Sequence, residues 1–167
     1  MEAIGLSIPE TCRAFWVEFA ASVDFDPTPR FHSAFHFCDT EALANSLGQL
    51  ALAGTKRATT GLLWSYEAED EALPKVGELS IVTDFAGVPM CVIEAVAVDV
   101  VAFGDVTEEY ARREGEGDKS LRYWLDVHWR FFVSECAQLG REPTPHMPVV
   151  CEEFDVVYPP APGRASP

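Results

Sequence analysis

Three stretches of the chain bring reactive side chains close together. The first is Gly54-Thr55-Lys56-Arg57-Ala58-Thr59-Thr60, at the junction of an expected helix end and an expected strand. Gly54 permits a tight turn, Lys56 and Arg57 are adjacent cations, and two hydroxyls follow. Loop amides near Gly54 together with a lysine can hold an anion or an oxyanion. A helix-ending glycine followed by solvated cations would give the same string. The GxxxxGK[ST] spacing is absent, so this is not a P-loop. The second is Arg112-Arg113-Glu114-Gly115-Glu116-Gly117-Asp118-Lys119-Ser120. Its glycines let the backbone fold sharply and turn a carboxylate inward, where it can orient Lys56 or exchange protons once desolvated. A solvated interhelical loop is the plain alternative. The third runs from Tyr123 to Phe132, with Trp124, His128, Phe131 and Glu135 on one helical face. An aromatic face beside a cationic loop suits a stacked base, and equally suits a core. Trp124 and Trp129 fall on different faces, so at most one lines a cleft. His32, His36 and Cys38, and more loosely Cys136, His146 and Cys151, match no metal-ligand spacing, so no metal site is expected. No GxSxG or Cys-plus-His signature points to an acyl-transfer triad.

The elements that must position these residues are readable in outline. Ser7 and Glu10 stand in capping-box relation ahead of Cys12, Phe15, Trp16 and Phe19, which predicts a first helix. Pro27 and Pro29 then start a loop. A cap at Asp39 or Thr40 opens a second helix with Leu43, Leu47 and Leu50 facing inward, ending near Gly54. Strands are expected over 59–64, 78–85 and 89–101, with Ala86-Gly87 as a hairpin turn. Thr107 caps a short helix, Asp118 or Ser120 caps the longest one, which Gly140 closes, and 149–158 forms a last strand. Residues 159–167 read as a disordered Pro-rich tail. The pattern is α+β, a single domain over 1–158 with an N-terminal helical extension.

The chain has 167 residues, enough for one real core and hardly for two. Against 12 Lys plus Arg stand 27 Asp plus Glu, a net charge of −15. No broad basic surface can form, which excludes non-specific binding of duplex DNA. A single nucleoside or a short single strand still fits a local pocket. The five cysteines are scattered and odd in number, which suits free thiols. The N-terminal stretch lacks a basic and then apolar signal pattern, and no apolar run reaches the roughly 20 residues of a membrane span. The expectation is a cytoplasmic protein without membrane contact.

Taken in order, Ala53 to Thr59, Leu73-Pro74-Lys75-Val76-Gly77-Glu78, Glu114 to Leu121 and the Tyr123-Trp124 to Phe131-Phe132 helix resemble the ASCH-domain family, in its larger bacterial subgroup. The resemblance runs from about Phe15 to Tyr158. It implies a PUA-like fold, a small antiparallel β-barrel with helices around it, and a cleft proposed in the family to bind RNA. Small bacterial members with the same GxKxxT motif are amidohydrolases of N4-acetylcytidine. Their catalytic residues fall on Lys56, Thr59 and Glu114, with Glu116 or Asp118 open as the operative acid. The implied scheme has Lys56 activating the Thr59 hydroxyl and Glu114 protonating the leaving nitrogen. Gly54, Arg57, Thr60, Trp64, Tyr66, Asp118, Ser120, Trp124 and His128 are the expected substrate contacts. No cofactor is expected. A ribonuclease on single-stranded RNA, which would bring a divalent cation, and a non-catalytic module for a modified base are the alternatives. The net charge favours a small neutral nucleoside over a strand.

Overall fold

The computed structural model describes residues 7–160; residues 1–6 and most of the Pro-rich tail, 161–167, lie outside them. A 3-10 turn, Glu10–Cys12, leads into helix α1, Arg13–Ser22. Its turn begins at Pro9, downstream of Ser7, and no side chain caps it. Cys12, Trp16 and Phe19 are buried as the spacing predicts. The segment after the prolines is a strand rather than a loop: Phe31–Phe35 forms β1.

Helix α2, Glu41–Leu52, is capped by Thr40, whose hydroxyl accepts from Leu43 N at 3.4 Å. Its buried positions are Ala44, Gly48 and Ala51, not the expected leucines. Small residues let the helix lie close on the sheet; a Cβ at Gly48 would meet Met90 Sδ at 2.6 Å. Leu43, Leu47 and Leu50 consequently turn toward a cleft. Strand β2, Ala58–Leu62, passes directly into a short helix α3, Leu63–Ala68. Strands β3, Leu79–Thr83, and β4, Pro89–Ala102, form the expected hairpin, with Gly87 at φ +87° in its turn. Thr107 caps α4, Glu108–Glu114, and Ser120 caps α5, Leu121–Leu139, which ends at Gly140 in the left-handed region. Strand β5, Pro148–Tyr158, completes the chain.

The five strands lie in the order β1-β3-β4-β5-β2. Three pairs are antiparallel, but β1 pairs parallel with β3. A parallel neighbour needs a crossover, and α2, β2 and α3 provide it. Irregularities at Val92/Ile93 and Ala95/Ala97 bend the long β4–β5 ribbon. β1 and β2 remain edges, so the sheet is mixed and open rather than the closed antiparallel barrel expected. On α5, Trp124, His128, Phe132 and Cys136 are buried. The neighbouring row Tyr123, Val127, Phe131 and Glu135 lines the cleft. Among the described residues no helix is long and apolar enough to cross a membrane.

Candidate active site

The turn between α2 and β2 is pinned before any side chain acts. Thr55 N and Lys56 N both donate to Leu50 O, at 2.9 and 3.0 Å, and Arg57 N donates to Arg113 O at 2.9 Å. The last bond ties the turn to the end of α4. That approach requires Gly115: its φ is +71°, and an added Cβ would overlap the Thr55 carbonyl. The amides of residues 54–57 are all engaged with backbone carbonyls, so they do not form the oxyanion site expected near Gly54.

Lys56 is thereby driven inward and is only 1% exposed. Its Nζ donates to Ala58 O at 2.8 Å, Glu116 Oε1 at 2.6 Å and Glu114 Oε1 at 3.4 Å, and lies 4.8 Å from the Phe37 ring centre. Three acceptors match the three hydrogens of an ammonium. Glu114, also 1% exposed, is the hub. Its Oε1 also meets His128 Nε2 at 2.9 Å, while Oε2 accepts from Thr60 Oγ1 at 2.9 Å and from Trp124 Nε1.

The charges follow from this geometry. Burial pushes the Glu114 carboxyl upward, but Lys56, His128 and the hydrogen bonds outweigh it and hold it well below the usual carboxylate range. Burial works against a charged His128 too, yet Glu114 wins and raises its pKa. His128 Nδ1 faces Trp124 O at 2.9 Å, a pure acceptor, so both ring nitrogens carry protons against an ionised Glu114. Two cations and two anions make a locally neutral quartet in a strongly acidic chain.

The quartet forms the floor of one lobe of a cleft, about 230 Å³ in volume and walled by Leu43, Leu47, Tyr123 and Phe131. A second lobe of about 430 Å³ extends from it under Tyr66. Phe37, Cys38, Thr59, Thr60 and Phe131 line both, so Thr59 stands at the seam. Of the residues expected from the sequence, Lys56, Thr59, Thr60, Glu114, Tyr66 and His128 come together here. Glu116 joins them through its one bond, to Lys56. It is Thr60, rather than Thr59, that bonds Glu114.

The others lie elsewhere. Trp124 is core: it donates to Glu114 and stacks on His128 at 4.1 Å, so it offers no face to a ligand. Trp64 packs on the core with the Arg141 guanidinium 4.5 Å above its ring. Arg57 is exposed and paired with Asp155 at 3.2 Å. Asp118 accepts from Ser120 N at 2.9 Å and Ser120 caps α5, so both serve the helix start. Gly54 only makes its left-handed turn, at φ +81°. Two residues at the site carry no recognisable motif. Tyr110 donates to Thr59 O at 2.7 Å and fixes β2. Glu152 sits in the larger lobe, and its signal was available: a glutamate inside the apolar run of β5.

Among the described residues one trio could ligate a metal, Glu114, Glu116 and His128, with donor atoms within 4.8 Å of one another. The Lys56 ammonium stands among them, bonded to both carboxylates, and supplies the positive charge a cation would.

The ASCH-domain family model matches residues 33–158. No curated protein matches the chain. Among solved structures, the ASCH domain from Lactobacillus crispatus JV V101 is 36% identical, covers 95% of this chain and 99% of its own, and superimposes with a TM-score of 0.83. Protein EF3133 from Enterococcus faecalis V583, assigned to DUF984, is 32% identical over 89% of this chain and 88% of its own, with a TM-score of 0.77. The motif order, the sequence match and the shared PUA-like architecture agree, and the chain belongs to the ASCH-domain family.

Proposed function

We propose that the protein is an amidohydrolase that removes the acyl group from an acylated nucleobase amine, with N4-acylated cytidine as the substrate class. The observation that carries this reading is the buried Lys56, held between Glu114 and Glu116 and lining the same lobe of the cleft as Thr59. Lys56 rests as an ammonium, so it acts as a base only after passing a proton to Glu116 along their 2.6 Å bond. A ligand that displaces water from the lobe favours that neutral pair, because desolvation penalises both charges. The Thr59 hydroxyl then attacks the acyl carbon and gives its proton to Lys56. The restored ammonium stabilises the oxyanion and hands a proton to the exocyclic nitrogen as the C–N bond breaks. Water hydrolyses the acyl-threonine ester, releasing the carboxylic acid and restoring Thr59. Glu114 is the fixed partner in this scheme, and Glu116, with a single bond, is the carboxylate free to move a proton. The scheme uses no cofactor.

The basic track that an RNA strand would need is weak. Of Lys56, Arg57, Lys75, Arg112, Arg113 and Lys119, only Lys56 lines the cleft. Arg57 and Arg113 are paired with Asp155, Glu109 and Glu153. The test is ultraviolet assay of N4-acetylcytidine hydrolysis by the wild type, Thr59→Val and Lys56→Met, with folding checked by circular dichroism. Each substitution is expected to cost at least about 10²-fold in kcat. Turnover by folded Thr59→Val at the wild-type rate would remove the nucleophile. A wild type inert toward the nucleoside, but active on or bound to single-stranded RNA with steep salt dependence, would hand the site to the ribonuclease or the binding module.

A further inference from the structure

The larger lobe contains a group that the proposed chemistry leaves idle. Glu152 lies in β5, opposite Thr59 of β2 and Val98 of β4. It is 7% exposed and lines the lobe, yet no hydrogen bond or ion pair ties its carboxyl to any described residue. Its oxygens open onto the lobe rather than lying sealed in the core, so the carboxyl is free to meet whatever enters. Its surroundings do not provide a counter-charge. Glu69, Glu71 and Glu135 line the same lobe, and neither Lys nor Arg does. His32 of β1 is already paired with Glu78 at 3.0 Å, His36 Nδ1 faces Cys38 O at 2.9 Å, and α3 contributes Ser65 and Tyr66. Burial, then Tyr66's neighbours Glu152, Glu71 and Glu135, push that phenol up to about 12.

We propose that Glu152 is a specificity residue, which in its carboxylic-acid form reads the donor–acceptor edge of an aminopyrimidine, and that the acidic lobe around it rejects phosphorylated ligands. The pairing follows from the two edges. Cytosine, acylated or not, offers an N–H at its exocyclic nitrogen beside the N3 lone pair. A protonated carboxyl offers a carbonyl oxygen and an O–H side by side, so two hydrogen bonds form. An ionised carboxylate would turn a second lone pair toward N3 and lose one of them. Burial, reinforced by Glu78, pushes the Glu152 carboxyl up to about 7, so the acid is present at neutral pH. Burial likewise raises Glu71 and Glu135, as expected where anions crowd together without cations. A phosphate entering this lobe meets Glu69, Glu71 and Glu135 with no Lys or Arg to offset them. This inference deepens the reading of the cleft as a site for an acylated cytosine and rests on it.

The experiment is calorimetric titration of the full chain with cytidine and with cytidine 5′-monophosphate, neither of which is hydrolysed, so binding is read apart from turnover. Cytidine is expected to bind wild type more weakly at pH 8.5 than at pH 6, by up to about 30-fold, as the protonated fraction of a group titrating near 7 falls. Glu152→Gln presents the same carbonyl and an N–H donor, so it should bind at both pH values with no such fall. Glu152→Leu should lose at least about tenfold at pH 6, by removal of both hydrogen bonds. The monophosphate should bind wild type at least about tenfold more weakly than cytidine, and less so at high salt. Equal affinity of Glu152→Leu, a fall with pH retained in Glu152→Gln, or a monophosphate that binds as well as the nucleoside would each overturn the proposal. If these binding results hold while N4-acetylcytidine is not hydrolysed, the amidohydrolase reading fails and the pairing stands. If hydrolysis proceeds and Glu152→Leu keeps the wild-type KM, the reverse is true.

Discussion

Glu114→Gln is the substitution that most directly tests the quartet. Four donors converge on the carboxylate: Lys56 Nζ and His128 Nε2 at Oε1, Thr60 Oγ1 and Trp124 Nε1 at Oε2. An amide has one carbonyl oxygen, so its NH2 must face two of those donors, and at least one buried cation loses its counter-charge. Breaking one side of a buried ion pair costs about 3–5 kcal/mol. Against a total stability of about 5–15 kcal/mol this is a large fraction. For a chain of this size it lowers the thermal midpoint by about 6–20 °C. The pH dependence has a definite sign. The Glu114 carboxyl lies below its ordinary 4.5 in the fold, so its contribution is complete above that value and is lost as pH falls further. His128 lies above its ordinary 6.5, so its contribution is complete below that value and is lost as pH rises through the folded one. The gap between wild type and variant should therefore be widest between about pH 4.5 and 6.5 and narrow on both sides. Urea unfolding followed by far-ultraviolet circular dichroism, at about pH 3.5, 5.5 and 8.5, measures it. A variant within about 1 kcal/mol of wild type at pH 5.5 would refute the reasoning, since that is the cost of an ordinary surface change.

Two further outcomes concern stability. Gly115→Ala places a Cβ against the Thr55 carbonyl at a positive φ, and should cost about 1–3 kcal/mol in urea unfolding while also lowering hydrolysis, because Glu114 and Lys56 are drawn apart. Glu152→Gln should do the opposite above neutrality. A carboxyl raised from its ordinary 4.5 to about 7 favours folding below 4.5 and loses that contribution as pH rises through 7, so the neutral amide should gain up to about 3 kcal/mol at pH 8.5. No gain in the unfolding midpoint there would show that the carboxyl is solvated.

Helix limits were legible where a cap made a hydrogen bond. Thr40, Thr107 and Ser120 each accept from the amide three residues on, and Gly140 closes α5 in the left-handed region. Ser7 had the right spacing, but Pro9 set the start of the turn instead. The turning inward of a glycine-flanked acid was legible too. Which acid faced Lys56 was not, because the answer, both Glu114 and Glu116, depends on the backbone bond from Arg57 to Arg113 across the domain. The strand Phe31–Phe35 carries no alternating pattern, since all five positions are half-buried, and its partner β3 lies more than forty residues on. That Trp124 serves the core rather than the cleft is not legible for a related reason: periodicity groups residues on a face but does not divide that face between the two.

Helix α5 divides its inward side between two rows. One row, Trp124, His128, Phe132 and Cys136, holds the fold and the quartet. The adjacent row, Tyr123, Val127, Phe131 and Glu135, meets the ligand space. Substitutions at Tyr123, Val127 and Glu135 reshape the cavity and leave the buried row in place, whereas Phe131 also packs on Phe132 and belongs to both. A chain built this way can reshape its cleft while its core stays constant, and a library aimed at the cavity need randomise only Tyr123, Val127 and Glu135.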